Sequence, residues 1–152
     1  MSDPDPIVSN LPILCLDFDG VIHRYSKGWQ DGQIYDPPTD GFFKWATSTN
    51  HHFKLMVHSS RSKHWDGIQA MAHWLAEHAA HEGWSVTEWP RFERPVMRLL
   101  HARDANVIVL TFVQEKPPAF VTIDDRALTF RGDWNEMSVP GLLSFKPWNI
   151  DP

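Results

Sequence analysis

Three short apolar runs in this chain each stop abruptly at a polar cluster, and that pattern limits the available folds more than any other feature of the sequence. Ile13-Leu14-Cys15-Leu16 ends in Asp17-Phe18-Asp19-Gly20, Phe53 to His58 ends in Ser59-Ser60-Arg61-Ser62, and Ala119 to Ile123 ends in Asp124-Asp125. Runs of this kind, bounded by turn formers, read as buried strands. Between them, Trp65, Ile68, Met71, Ala72, Leu75 and Ala79 recur at helical spacing from about Lys63 to His81, and Gly83 lies just beyond as a terminator. Strands alternating with helices predict an α/β fold with a mainly parallel sheet, where ligands bind outside the carboxyl ends of the strands.

Weaker signals place the other elements. Asp40 is positioned to cap a helix running to about Ser48 and carrying Phe42, Phe43, Trp45 and Ala46. Trp84 to Trp89 and Val107 to Val113 read as strands. Phe92 to Ala102 reads as a helix with Pro95 in its first turn, where a missing amide is tolerated, and on it Arg91, Arg94 and Arg98 form a basic stripe. Val21 to Tyr25 and Gln33 to Tyr35 flank a turn-rich stretch from Ser26 to Gly32, which predicts a small hairpin or flap after the first carboxylates.

At 152 residues, 42% hydrophobic and 22% charged, the chain has an ordinary globular mix. It is expected to form one domain over residues 12–152, preceded by an acid- and proline-rich tail at 1–11. A core of this size closes without a disulfide or structural metal, so a bound metal is expected to serve function. The single cysteine, Cys15, excludes an internal disulfide and suits a reducing cytoplasm. No run approaches ~18 consecutive apolar residues, which argues against a membrane span, and the first residues lack the pattern of a secretory signal. A net charge of −5 argues against broad, nonspecific wrapping of nucleic acid, while leaving room for a local basic site. No pattern in the chain specifies an oligomeric state.

Bringing the strand ends together gathers up to four carboxylates, Asp17, Asp19, Asp124 and Asp125, and such a cluster calls for a cation. Hard carboxylate oxygens without competing nitrogen or sulfur ligands favour Mg²⁺, which retains waters and touches a substrate phosphate. Ser59, with Ser60 beside it, offers a hydroxyl donor to phosphate oxygens, and Arg61 adds a planar, permanently charged fork. The nine histidines do not suggest zinc, since His73, His78 and His81 lack the helical pairing of a zinc motif. Most of the aromatic residues read as core material; Trp29 is the exception.

Taken in order, LCLDFDGV, MVHSSR, Lys116 and TIDD make the stretch from about residue 12 to 131 resemble the haloacid dehalogenase-like superfamily. The resemblance implies a Rossmann-like three-layer sandwich with a mainly parallel central sheet. The segment between Asp19 and the first helix is too short for a cap domain, so a small capless member with a short flap is expected. Carried over, Asp17 is the nucleophile that forms an aspartyl-phosphate and Asp19 the general acid and base. Mg²⁺ would be held by the Asp17 carboxylate, the Asp19 backbone carbonyl and Asp125, with Asp124 acting directly or in support. Ser59, Ser60 and Arg61 would bind the phosphoryl group.

Lys116 matches the family's phosphate-stabilising lysine, although a regular strand from 119 to 124 would start it ~20 Å from the catalytic end. Arg61 and Lys63 are reserve sources of positive charge. Without a lid, His23, Arg24, Tyr25 and Trp29 are expected to face the substrate. The implied activity is Mg²⁺-dependent hydrolysis of a phosphomonoester, with a nucleotide, a nucleic-acid end or another large phosphorylated molecule as substrate. Two rivals stand beside it: a phosphate- or partner-binding module that keeps the fold without turnover, and phosphoryl transfer to an acceptor other than water.

Overall fold

The computed structural model describes residues 10–151, so the expected tail lies outside the described residues up to position 9. The described residues form a mixed α/β arrangement of six strands and three α-helices. The strands are β1 (Ile13–Leu16), β2 (Lys54–His58), β3 (Trp84–Glu88), β4 (Val96–His101), β5 (Val107–Val113) and β6 (Val121–Ile123). The helices are α1 (Phe42–Thr49), α2 (Trp65–His81) and the short α3 (Val139–Leu143). The sheet order is β3-β4-β5-β2-β1-β6. β5, β2, β1 and β6 run parallel, and β4 is antiparallel to both of its neighbours.

Strand register builds the core. Leu14 lies opposite Leu55, Leu55 opposite Leu110 and Leu110 opposite Met97, while Leu16, Val57 and Phe112 form the next row. These residues share one apolar cluster with Phe42, Phe43 and Ala46 of α1 and with Ile68, Met71, Ala72, Trp74, Leu75 and Ala79 of α2. Full burial of each large aliphatic side chain stabilises the fold by about 1.5–3 kcal/mol. Because successive strand residues alternate sides, Cys15, Met56, Thr111 and Thr122 form a row on the opposite face. Phe18 is 1% exposed and packs edge-on against Trp74 at 5.2 Å, which anchors the loop between Asp17 and Asp19.

Four sequence expectations need correction. The stretch from Phe92 to Ala102 is a strand rather than a helix: Val96, Met97 and Leu99 are buried between β3 and β5. Prolines at 90 and 95 bracket an Arg91–Arg94 turn, and completing the β5 edge outweighs a local helical pattern that Pro95 alone did not forbid. The arginines are therefore no helical stripe. Arg94 and Arg98 both reach Glu88 on the adjacent strand, at 2.6 and 3.7 Å, and Arg91 approaches Glu93 at 3.5 Å.

The second and third concern local signals. Gly41, not Asp40, occupies the N-cap of α1, in a left-handed conformation without a side-chain cap. The expected hairpin after Asp19 is an irregular loop, closed at its neck by a bridge between His23 and Pro38 and held by side-chain bonds to backbone. Among these, Ser26 N–H donates to Asp36 at 2.7 Å, Lys27 N–H donates to the Tyr35 hydroxyl at 2.9 Å, and that hydroxyl donates to Gly28 O at 2.7 Å.

The fourth is Lys116. The segment Lys116-Pro117-Pro118 does not extend the last strand, which begins only at Val121; Lys116 lies three residues beyond the carboxyl end of β5 and lines the cavity there. No helix among the described residues is long and apolar enough to cross a membrane.

Candidate active site

β1 and β6 are hydrogen-bonded neighbours, and the ladder continues one step past β1 through Asp17 N–H donating to Ile123 O at 3.0 Å. That pairing delivers the two acidic strand ends to one place. One carboxylate oxygen from each of Asp17, Asp124 and Asp125 lies within 4.8 Å of the others. The Asp125 side chain is 2% exposed, and its Oδ2 has no hydrogen-bond partner among the described residues; Arg126 Nε stands 3.9 Å away. Gly20, with φ +83°, is what permits this approach, because a Cβ there would overlap the Asp125 carboxylate.

The cluster is electrostatically strained. Burial, with the neighbouring charges of Asp124 and Asp125, pushes the Asp17 carboxyl up to about 7 against the pull of the Phe18 N–H. Burial and the charge of Asp124 also raise Asp125. A buried carboxylate oxygen without a donor, inside a group of three acids, fits a divalent cation with oxygen preference.

Asp19 is the opposite case. Arg61 grips it with a fork, Nε to Oδ2 at 2.9 Å and Nη2 to Oδ1 at 3.2 Å, and His23 Nδ1 meets Oδ1 at 2.9 Å. Burial works against its ionisation, but hydrogen bonds from His23 and Arg61 and the guanidinium charge prevail and hold it below the usual carboxylate range. Arg61 is consumed by this structure: Nη1 also donates to Gly32 O at 2.6 Å and Nη2 to Gln33 O at 3.5 Å. Its side chain is only 7% exposed, so the guanidinium assigned to phosphate binding from sequence instead ties the loop to the first motif.

His23, expected to face substrate, is fully buried. Its Nε2 accepts from Asp36 N–H at 3.1 Å, so Nδ1 carries the hydrogen donated to Asp19. Arg24 is also committed, donating to the Asn149 carbonyl and lying 5.0 Å over the Trp148 ring. Tyr25 is half-buried beside Tyr35. Trp29 is the loop residue that does face outward, 59% exposed, with the Arg61 guanidinium 5.1 Å from its ring.

On the other side of Asp17 lies a cavity of about 280 Å³, with Cys15 and Thr122 as its floor and Asp17, Asp124, His58, Ser59, Ser60 and Lys116 around it. Ser59 is 4% exposed and caps a single 3-10 turn, Ser60–Lys63. Its Oγ accepts from Arg61 N–H at 3.2 Å, which leaves the hydroxyl hydrogen to donate. The structural role of Ser59 and its expected phosphate role are therefore compatible. Ser60 and Lys116 are exposed at the cavity, and neither side chain has a hydrogen bond or ion pair among the described residues.

Three contributors escaped the sequence reading. His58 belongs to this cavity, and the signal was present: in FKLMVH it alternates with Leu55 and Val57, so it leaves the sheet on the face away from the core. Trp148 donates from Nε1 to Gly20 O at 2.9 Å and thereby supports the loop behind Asp125, while fully buried Asn149 donates to Tyr25 O at 3.1 Å. No local sequence signal links position 148 to position 20. No family model, curated protein or solved structure matches this chain.

Proposed function

We propose that this chain is a Mg²⁺-dependent phosphomonoester hydrolase of the haloacid dehalogenase-like superfamily, of small capless type, acting in the cytoplasm. The observation that carries the reading is the meeting of Asp17, Asp124 and Asp125 within 4.8 Å at parallel strand ends, beside a cavity that also holds Ser59 and Lys116. In this reading the sheet is the centre of a Rossmann-like three-layer sandwich, with α1 and α2 as one helical layer.

Asp17, Asp125 and Asp124 would hold the cation. When bound, Mg²⁺ supplies positive charge that offsets both the carboxylates and the phosphoryl oxygens. Asp17 attacks phosphorus and the bond to the leaving oxygen breaks, giving an aspartyl-phosphate. A leaving oxygen that needs a proton would take it from the small protonated fraction of Asp19, while an aryl oxide leaves without one. Water then attacks the same phosphorus, loses its proton to Asp19, and releases inorganic phosphate with Asp17 restored. Ser59 and Lys116 orient and neutralise the transferred group.

The low-lying Asp19 carboxyl suits the second half of this cycle better than the first, because an ionised carboxylate accepts protons and cannot give them. Aryl phosphates, whose leaving group needs little protonation, are therefore expected to react at least ten times faster than alkyl phosphates. The test is phosphate release from an aryl phosphate with and without Mg²⁺, for wild type and Asp17→Asn. Metal-dependent release that disappears in the variant supports the proposal; equal release in both removes Asp17 from its role.

One observation favours a second reading. A carboxylate already bonded to Arg61 and His23 is also what a binding module that turns over nothing would carry. Such a module would bind inorganic phosphate and release none from any ester. Transfer to an acceptor other than water would appear as phosphorylated acceptor in excess of free phosphate.

A further inference from the structure

Extending the β1–β2 register by one residue beyond Leu16 opposite Val57 brings Asp17 level with His58, on strands ~4.8 Å apart. Both side chains leave the sheet on the face away from the core, and both line the same cavity. His58 is half-buried, and its imidazole has no hydrogen bond or ion pair among the described residues. Every other histidine near the first motif is used: His23 is spent on Asp19 and the Asp36 amide. The guanidinium expected to serve the anion is spent as well. The cavity thus keeps Ser59, Ser60 and Lys116 as donors, and His58 is the unassigned imidazole among them.

Resting on the phosphate-site reading above, we propose that His58 is a phosphate-contacting residue that donates an imidazole N–H to an oxygen of the group held at Asp17, in the place Arg61 vacates. An imidazole adds a directional donor from the end of β2, while Lys116 reaches the cavity from the connection between β5 and β6. Donors from two chain segments, the end of β2 with its following turn and the stretch holding Lys116, can fix the rotation of a tetrahedral anion that one lysine cannot.

Inorganic phosphate is the probe, titrated calorimetrically in the presence of Mg²⁺ against wild type, His58→Ala and His58→Gln, with thermal unfolding followed in parallel. The proposal expects His58→Ala to weaken phosphate binding about tenfold. His58→Gln, whose amide N–H can still donate, should recover at least half of that loss in logarithmic terms, and unfolding should be unchanged in both. With an aryl phosphate the same loss should appear in KM more than in kcat. Equal phosphate affinity in wild type and His58→Ala overturns the assignment, as does failure of His58→Gln to improve on alanine. Phosphate binding that depends on His58 in a protein releasing no phosphate from esters would sustain this inference while sinking the hydrolase reading. Absence of phosphate binding in wild type would sink both.

Discussion

Asp17 and Asp19 stand two residues apart on one strand end and live in opposite environments. Asp17 shares its space with two more acids and one donorless buried oxygen, and its carboxyl is pushed up to about 7. Asp19 is saturated by a guanidinium fork and an imidazole and is held low. Phe18 between them is sunk in the core, so the backbone reverses the side chains into two compartments. The contrast teaches where structure is held and where something is missing. Satisfied charge fixes the loop, and unsatisfied charge is the ground on which a cation and an anion are proposed beside Asp17.

Breaking the satisfied side should have the largest effect. Arg61→Met removes one partner of a largely buried pair and leaves the Asp19 charge with His23 alone. A loss of about 3–5 kcal/mol in denaturant unfolding is expected. A loss under about 1 kcal/mol would show that the fork contributes orientation without stability.

The strained side should respond with the opposite sign. In the folded chain Asp17 keeps its proton up to about 7, while its ordinary value is 3.8. The native state therefore binds more protons across that window, and stability without metal should fall as pH rises from about 4 to 7, by about 1–3 kcal/mol. Added Mg²⁺ should flatten the slope. Asp17→Asn should reduce the slope to the part that the raised Asp125 carries and, in chelator, make the protein more stable than wild type at pH 7. The lowered Asp19 works the other way: its contribution is complete above about 4 and is lost as pH falls through its folded value. Thermal unfolding in chelator across this range checks both limbs, and a stability that rises steadily from pH 4 to 7 would contradict the strain at Asp17.

The smallest effect sharpens the picture at the loop. Trp29→Ala removes an exposed ring 5.1 Å from the Arg61 guanidinium, and about 0.5–1 kcal/mol of stability should go with it. A much larger loss would mean that the ring, rather than the Gly32 and Gln33 carbonyls, holds Arg61 in place.

What could be read from the chain follows the range of the interactions. Val107–Val113 and the helix ending at His81 agree with their expected bounds, because β-branched content and helical spacing are local properties. DFDG and TIDD were legible as strand-end acids for the same reason, and parallel pairing of β1 with β6 accounts for their meeting. β4 was not legible. VMRLLH fits either period, and the choice is made by β3 and β5 on its two sides. Arg61 looked like an anion ligand because no local signal couples it to Asp19, 42 positions earlier in the chain. Lys116 was misplaced by counting back from a strand begun at Ala119, whereas the strand begins at Val121 and Lys116 lies only three residues past the carboxyl end of β5. Charges that must find partners across the fold are the features sequence reading loses first.

The central claim is that Asp17 becomes covalently phosphorylated during turnover. Reacting the full chain with an aryl phosphate and Mg²⁺, quenching in acid and mapping the peptides by mass tests it directly. A phosphate adduct on the peptide bearing Asp17, formed and lost within the turnover time and absent from Asp17→Asn, is the predicted result. Phosphate release that proceeds without an adduct on Asp17, or that persists in the variant, would contradict the account.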